Sequence, residues 1–158
     1  YGVAFIKNRY VGRSFIVPSQ LKREETVSVK LNPLKAAVEG KRIVLVDDSI
    51  VRGTTSARII KTLRNAGAKE IHMRIACPPF KHPCYFGVDI DSEENLIANK
   101  TDVEGIRKRI GADSLVFMDY DRLMSIDLGT GVKFCGGCFS GEYPVKADEA
   151  GGKDKFDD

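Results

Sequence analysis

Apolar positions along this chain recur at two different spacings, and each change of spacing marks an element. Ile43 to Val46 are four consecutive apolar, β-favouring residues, the pattern of a strand covered on both faces in a parallel sheet. From about Thr55 to Asn65 the spacing becomes helical, with Ile59, Ile60 and Leu63 on the buried side, and Ala66-Gly67 supplies a stop. Glu70 to Ala76 then alternates, with Ile71, Met73 and Ile75 on one side, which completes a strand-helix-strand unit. Pro78 and Pro79 break that strand, and Ser92 to Ala98 reads as a short helix. Thr101-Asp102-Val103-Glu104 has the form of a capping box, opening a helix with Val103, Ile106 and Ile110 on one face and Gly111 just past its end. Leu115 to Met118 predicts a short buried strand, Asp121 to Ile126 a helical turn, and Gly129 with Gly131 the start of a loop. Residues 7 to 30 mix polar and apolar positions with Gly12, Pro18 and several cations, as in a strand or ribbon with a long, partly flexible excursion. The charged, glycine-containing stretch from Lys146 to Asp158 reads as a frayed tail. The alternation of strands and helices predicts an α/β fold on a parallel sheet flanked by helices.

The chemistry concentrates where the first strand ends. Asp47 and Asp48 follow Val46 directly, and ligands of open α/β sheets bind in the crevice beyond the strand ends. Ser49 to Thr55 supplies backbone N–H groups and the hydroxyls of Ser49, Thr54 and Thr55, and Gly53 lets backbone approach a ligand. The helix that follows points the partial positive charge of its N-terminus at the same spot. A phosphate would sit on the turn, and the carboxylates would hold what the phosphate is attached to. A nucleotide loop of the Walker type fits poorly, because its glycine-lysine spacing is absent. A generic strand-turn-helix with acids at the strand end is the plainer alternative.

Composition narrows the class. At 158 residues the chain is one domain's worth of sequence, and 42% hydrophobic with 30% charged residues is ordinary for a soluble globular protein. No apolar run approaches the ~20 residues that span a bilayer, and no secretory signal is visible, so a cytoplasmic location without membrane association is expected. The chain opens on Tyr1 rather than Met and reads as a piece of a longer polypeptide. Its net charge of +3 says little, but residues 1 to 42 hold nine Lys or Arg against three Glu. That stretch lacks the aromatic interleaving of a nucleic-acid reader, and a basic loop beside an anionic substrate fits it better.

Residues 43 to 55 match the phosphoribosyl pyrophosphate (PRPP) signature of type I phosphoribosyltransferases at essentially every position. Lys7 to Ile16, Lys30-Leu31-Asn32-Pro33, Val51 to Ser56, Ile110-Gly111-Ala112-Asp113 and Phe139 to Pro144 extend the likeness over nearly the whole chain. Together these blocks resemble the glutamine PRPP amidotransferase family. The resemblance implies a partial type I phosphoribosyltransferase domain over 1–128, with the PRPP motif at 43–55 and a loop at about 7–30 that closes over bound PRPP. It implies that Asp47 and Asp48 face the ribose hydroxyls and a magnesium ion. Ser49, Val51, Arg52, Gly53, Thr54 and Thr55 would hold the 5′-phosphate, and Lys7, Arg9 and Arg13 would meet the pyrophosphate. A further serine contact to the metal is expected upstream of Tyr1. The implied reaction places ammonia from glutamine on carbon 1 of the ribose, giving phosphoribosylamine for purine synthesis. The glutaminase cysteine that begins the mature chain in this family has no counterpart here, since no cysteine precedes Cys77. A homo-oligomer inhibited by purine nucleotides is also implied.

Four cysteines, Cys77, Cys84, Cys135 and Cys138, are too few for a secreted disulfide scaffold. Taken alone, Cys135-Gly-Gly-Cys138 is half a metal site, a redox pair or two plain thiols. The resemblance adds one branch of the family that carries a structural 4Fe-4S cluster. His82-Pro83-Cys84 and Cys135 to Pro144 match its ligand motifs, so Cys84, Cys135 and Cys138 would be three ligands on a segment spanning 129–145, with 146–158 as a tail. The fourth would lie upstream. Cys77 then reads as a small core residue, and His72 and His82 as structural. Against this enzyme stands a non-catalytic module of the same fold that binds PRPP or purine nucleotides for regulation. A salvage or orotate phosphoribosyltransferase would lack the three-cysteine set.

Overall fold

The computed structural model describes residues 1–7, 31–86, 90, 92–126, 129, 131 and 134–145. Arg9, Arg13, nearly all of the basic excursion and the 146–158 tail lie outside the described residues. Strand β1 (Phe5–Lys7) pairs antiparallel with β2 (Leu31–Pro33), Phe5 opposite Pro33 and Lys7 opposite Leu31. The two ends of the predicted ribbon are therefore joined at its base. A short helix α1 (Lys35–Val38) follows and buries Val38.

The body is a parallel sheet of β3 (Arg42–Asp47), β4 (Glu70–Ile75) and β5 (Ser114–Phe117), with β4 in the centre. Arg42 pairs with Glu70 and Asp47 with Ile75, while His72 pairs with Ser114 and Ile75 with Phe117. Between the strands run α2 (Thr54–Asn65) and α3 (Val103–Ile110), and α4 (Tyr120–Met124) and α5 (Gly137–Ser140) come after β5. The main core joins Ile71, Met73, Ile75 and Leu115 of the sheet to Ile60 and Leu63 of α2 and Ile106 and Ile110 of α3. Burying Ile60 or Leu63 contributes roughly 1.5–3 kcal/mol each.

The expectations that β3 would be covered on both faces and that β5 would be buried are corrected. Val44 and Val46 are 63% and 69% exposed, and Val116 is 50% exposed. They share a face with His72 and Arg74, their register partners. That face is bonded as a polar surface: Ser114 Oγ meets His72 Nδ1 at 2.9 Å and accepts from Arg74 Nη1 at 3.0 Å, and His72 Nε2 meets Glu70 Oε2 at 3.1 Å. The polar side chains that β4 places at alternate positions set the character of this face, and they lie outside the apolar runs themselves.

Smaller differences have local causes. Asp102, not Thr101, caps α3, its Oδ1 accepting from the Gly105 N–H at 2.8 Å. Glu104 turns instead to Arg107, whose Nη2 donates to it at 2.6 Å. Val103 is consequently 41% exposed rather than on the buried face. The stretch read as one helix from Ser92 to Ala98 is two 3-10 turns, Glu93–Asn95 and Ile97–Asn99, because Leu96 between them is extended and fully buried. No helix among the described residues is long and apolar enough to cross a membrane.

Asp113 ties α2 to the sheet, accepting from the Ile71 N–H at 2.6 Å and from Arg64 Nη2. Those bonds, the Ile71 N–H foremost, hold its carboxyl below the ordinary value of 3.8. A depressed carboxyl stabilises the fold above its unfolded value, and that stability is lost as pH falls through the folded value. Asp113→Asn is accordingly expected to narrow the stability gap between neutral and acid pH in urea titrations. An unchanged gap would remove Asp113 from the acid response.

Candidate functional site

β3 ends on Asp47, so the first carboxylate stands at the carboxyl edge of the sheet with Asp48 next to it. The sheet sets its position, because the Asp47 carbonyl accepts from the Ala76 N–H at 3.0 Å. The Asp48 N–H donates to Asp47 Oδ1 and the Ser49 hydroxyl to Asp48 Oδ1, each at 3.0 Å. Asp47 is half-buried and Asp48 exposed. Burial pushes the Asp47 carboxyl above its ordinary value; the Asp48 N–H opposes this and the Asp48 charge adds to it. A cation bound at the pair would reverse that bias.

The turn beyond is anchored from beneath. Ile50 is 3% exposed and belongs to the main core, and Val51 packs on a second cluster with Phe80, Ile90 and Leu96. The Val51 carbonyl accepts from the Ile97 N–H at 2.9 Å. Gly53 has φ 79°, and a Cβ there would lie 2.7 Å from Ile97 Cδ1. Glycine is thus demanded here twice by the fold, through its backbone conformation and through its neighbour. Arg52, Thr54 and Thr55 are exposed around the start of α2, and Ser49 is half-buried. Asp47, Asp48, Ser49, Arg52, Gly53, Thr54 and Thr55 are thereby gathered at one edge, with oxygen ligands for a hard cation beside a helix N-terminus. Lys7 closes β1.

Cys77 stands, as read from the sequence, as a small residue packed on the core just beyond a strand end. It packs against both core clusters, and its thiol is pushed up to about 12 by burial, with the charges of Asp48, Cys138 and Asp47 adding to this. It therefore stands where the main core meets the smaller cluster that holds Cys84 and Cys138. Its position two residues after β4, at the same sheet edge, was the available signal.

The carboxyl-terminal cysteines sit on a docked segment. The Cys138 carbonyl accepts from the N–H groups of Lys81 and His82 at 3.0 and 3.1 Å. The Tyr143 hydroxyl donates to the Pro83 carbonyl at 2.6 Å, and the Phe80 and Phe139 rings stack at 5.0 Å. The Cys138 thiol is pushed up to about 11 by burial first and by neighbouring Cys84 and Cys135. Cys135 is exposed, and among the described residues no three His, Cys, Asp or Glu side chains form a group that would hold a metal. His82 Nδ1 meets Glu93 Oε1 at 2.9 Å, a contact consistent with a structural ring. Tyr143→Phe strips the Pro83 carbonyl of its donor and is expected to cost about 1 kcal/mol. Hydrogen exchange should show faster exchange in 134–145 and little change in β4; equal exchange in both proteins would mean the contact does not hold the segment.

Residues 7–103 match the model of the phosphoribosyl transferase domain family, and the chain belongs to that family. Among its relatives is the chloroplastic amidophosphoribosyltransferase of Glycine max, 55% identical over 91% of this chain and 25% of its own length. The amidophosphoribosyltransferase of Bacillus subtilis strain 168 is 50% identical over 92% of this chain and 32% of its own length. The solved glutamine PRPP amidotransferase from B. subtilis, complexed with ADP and GMP, superposes with a TM-score of 0.74 at 50% identity, covering 92% of this chain and 33% of that one. A structure described as the allosteric regulatory enzyme of purine biosynthesis gives a TM-score of 0.76 at 48% identity, covering 95% of this chain and 33% of that one. The fold is that of the type I phosphoribosyltransferases. The chain spans about a quarter to a third of the length of these relatives.

Proposed function

We propose that this chain is the phosphoribosyl-transfer portion of an amidophosphoribosyltransferase. In the proposed reaction the bond from carbon 1 of PRPP to the pyrophosphate oxygen breaks, ammonia bonds to carbon 1, and the ammonium formed loses a proton to give phosphoribosylamine. The observation that carries this reading is the carboxylate pair at the end of β3, directly ahead of a hydroxyl-bearing turn at a helix N-terminus. The turn residues, Ser49 and Val51 to Thr55, fix the 5′-phosphate. Asp47 and Asp48 hold the ribose hydroxyls and stabilise the positive charge that grows on the ring as pyrophosphate departs. Lys7 and Arg9 neutralise the departing pyrophosphate. The two carboxylates suit Mg2+, which when bound would offset charge on the pyrophosphate.

Ammonia is proposed to come from a glutaminase domain upstream in the same polypeptide, and purine nucleotides to act as inhibitors of a homo-oligomer. The nucleotides bound in the B. subtilis relative support the second point. A cytoplasmic location is proposed for this chain, whereas the soybean relative is named as chloroplastic. The segment 129–145 is proposed to carry a 4Fe-4S cluster through Cys84, Cys135 and Cys138. The docking of Cys138 and Tyr143 onto Lys81 to Pro83, next to Cys84, supports that reading, and among the described residues these side chains do not form a metal-holding group. Iron and sulfide analysis after anaerobic purification tests it, and protein free of both after anaerobic reconstitution would overturn it.

The main reading is tested by calorimetric titration of PRPP into the full-length protein with and without Mg2+. Binding that needs Mg2+, with turnover when ammonia is supplied, is the expected result. Binding without turnover would favour the regulatory module, and no binding by folded protein would sink both.

A further inference from the structure

Among the described residues Ser56 is the one polar residue that is buried, at 3% exposure. It stands in the first turn of α2, on the stripe that continues with Ile60 and Leu63 into the core. A buried hydroxyl is ordinarily bonded, and leaving one without a partner costs stability. Thr62 on the same helix follows that rule, its Oγ1 donating to the Arg58 carbonyl at 2.9 Å. The Ser56 hydroxyl has no such partner among the described residues. The first bond of the helix runs from the Ala57 N–H to the Gly53 carbonyl at 3.0 Å, and Gly53 has no side chain to cap the N–H groups of Thr54, Thr55 and Ser56. Ser56 thus brings a hydroxyl and an N–H, both without an acceptor among the described residues, to a place closed to solvent. Helical side chains lean toward the N-terminus of their helix. From the core side, the Ser56 hydroxyl therefore leans toward the turn of Ser49 to Gly53, while Thr54 and Thr55 stand exposed on the outside. Donors gathered at a helix N-terminus without an acceptor favour an anion.

We propose that Ser56 is a further substrate-binding residue, its hydroxyl meeting an oxygen of the 5′-phosphate from the buried side of the turn. The inference rests on the reading of that turn as the seat of the phosphate, and it adds a residue beyond the 43–55 signature. The phosphate lies away from the reacting carbon, so this bond is equally strong before and in the transition state. Its loss should raise KM and spare kcat.

The test combines urea unfolding, calorimetric titration of PRPP with Mg2+ and steady-state kinetics on supplied ammonia, for the full-length protein and its Ser56→Ala and Ser56→Cys variants. Ser56→Ala deletes a hydroxyl that has no bond to lose in the free protein, so its urea midpoint without ligand should equal or exceed that of the unaltered protein. Its PRPP affinity should fall about tenfold or more, the loss of a hydrogen bond to a charged acceptor, with KM rising in step and kcat within about twofold. Ser56→Cys places a weaker donor in nearly the same space and should fall between the two. Equal PRPP affinity in the unaltered protein and Ser56→Ala would overturn the inference and leave the reading of the turn standing. So would a ligand-free midpoint that drops along with the affinity, since the hydroxyl would then be bonded within the fold. A folded, unaltered protein that does not bind PRPP would sink the reading of the turn and this inference with it.

Discussion

Replacing Asp47 by Asn is expected to lower kcat/KM for phosphoribosylamine formation by about 10²–10³-fold, the usual loss when one preorganised charge at a developing transition state is removed. The same substitution is expected to leave the fold at least as stable at neutral pH. Burial raises the Asp47 carboxyl above its ordinary value, so the folded state disfavours its charged form. A group raised in this way costs stability at neutral pH, and the cost is relieved as pH falls through the raised value. Asn removes the buried charge and keeps an oxygen to accept from the Asp48 N–H. Steady-state kinetics with saturating ammonia, beside urea unfolding of the same variant, separates the two effects. A variant that is inactive because it has unfolded, or one that is folded and fully active, would each refute the role given to Asp47.

The second large effect is expected at Gly53. Gly53→Val forces a branched residue into a left-handed backbone conformation, at about 1–2 kcal/mol, and drives a Cβ against Ile97, at about 1–3 kcal/mol. A midpoint shift in urea equivalent to roughly 2–5 kcal/mol is expected from the sum of those terms. A cycle with Ile97→Val divides the cost. That change deletes Cδ1, the atom 2.7 Å from the hypothetical Cβ, so it should rescue part of the loss in Gly53→Ala and leave the backbone part intact. Additive effects of the two changes would show that Ile97 is not the obstacle. Gly53 was read from sequence as room for a ligand, and its buried surroundings supply a reason internal to the fold as well.

The strand-helix-strand unit around the site was legible because its signals are local: an apolar run, a helical spacing that closes at Gly67, and an alternating strand. Asp47, Asp48 and the turn residues fall where that reading put them, since a strand end and a helix start within eight residues leave the chain little freedom. What stayed hidden depended on partners distant in sequence. The outward face of Val44 and Val46 is decided by His72 and Arg74 across the ladder. The cap of α3 moved from Thr101 to Asp102 because Arg107 competes for Glu104.

Among the described residues one face of the sheet is left exposed at Val44 and Val46, and this bears on how the chain behaves in solution. β3 is an edge strand among the described residues, and its outward valines lie beside backbone groups that no neighbouring strand takes up. An unpaired strand edge with exposed valines beside it is a template for strand pairing between molecules. The chain should therefore self-associate through β3 as concentration rises. A lysine at Val44 or Val46 would then raise solubility without touching the carboxylates, because both side chains point away from the core that positions them.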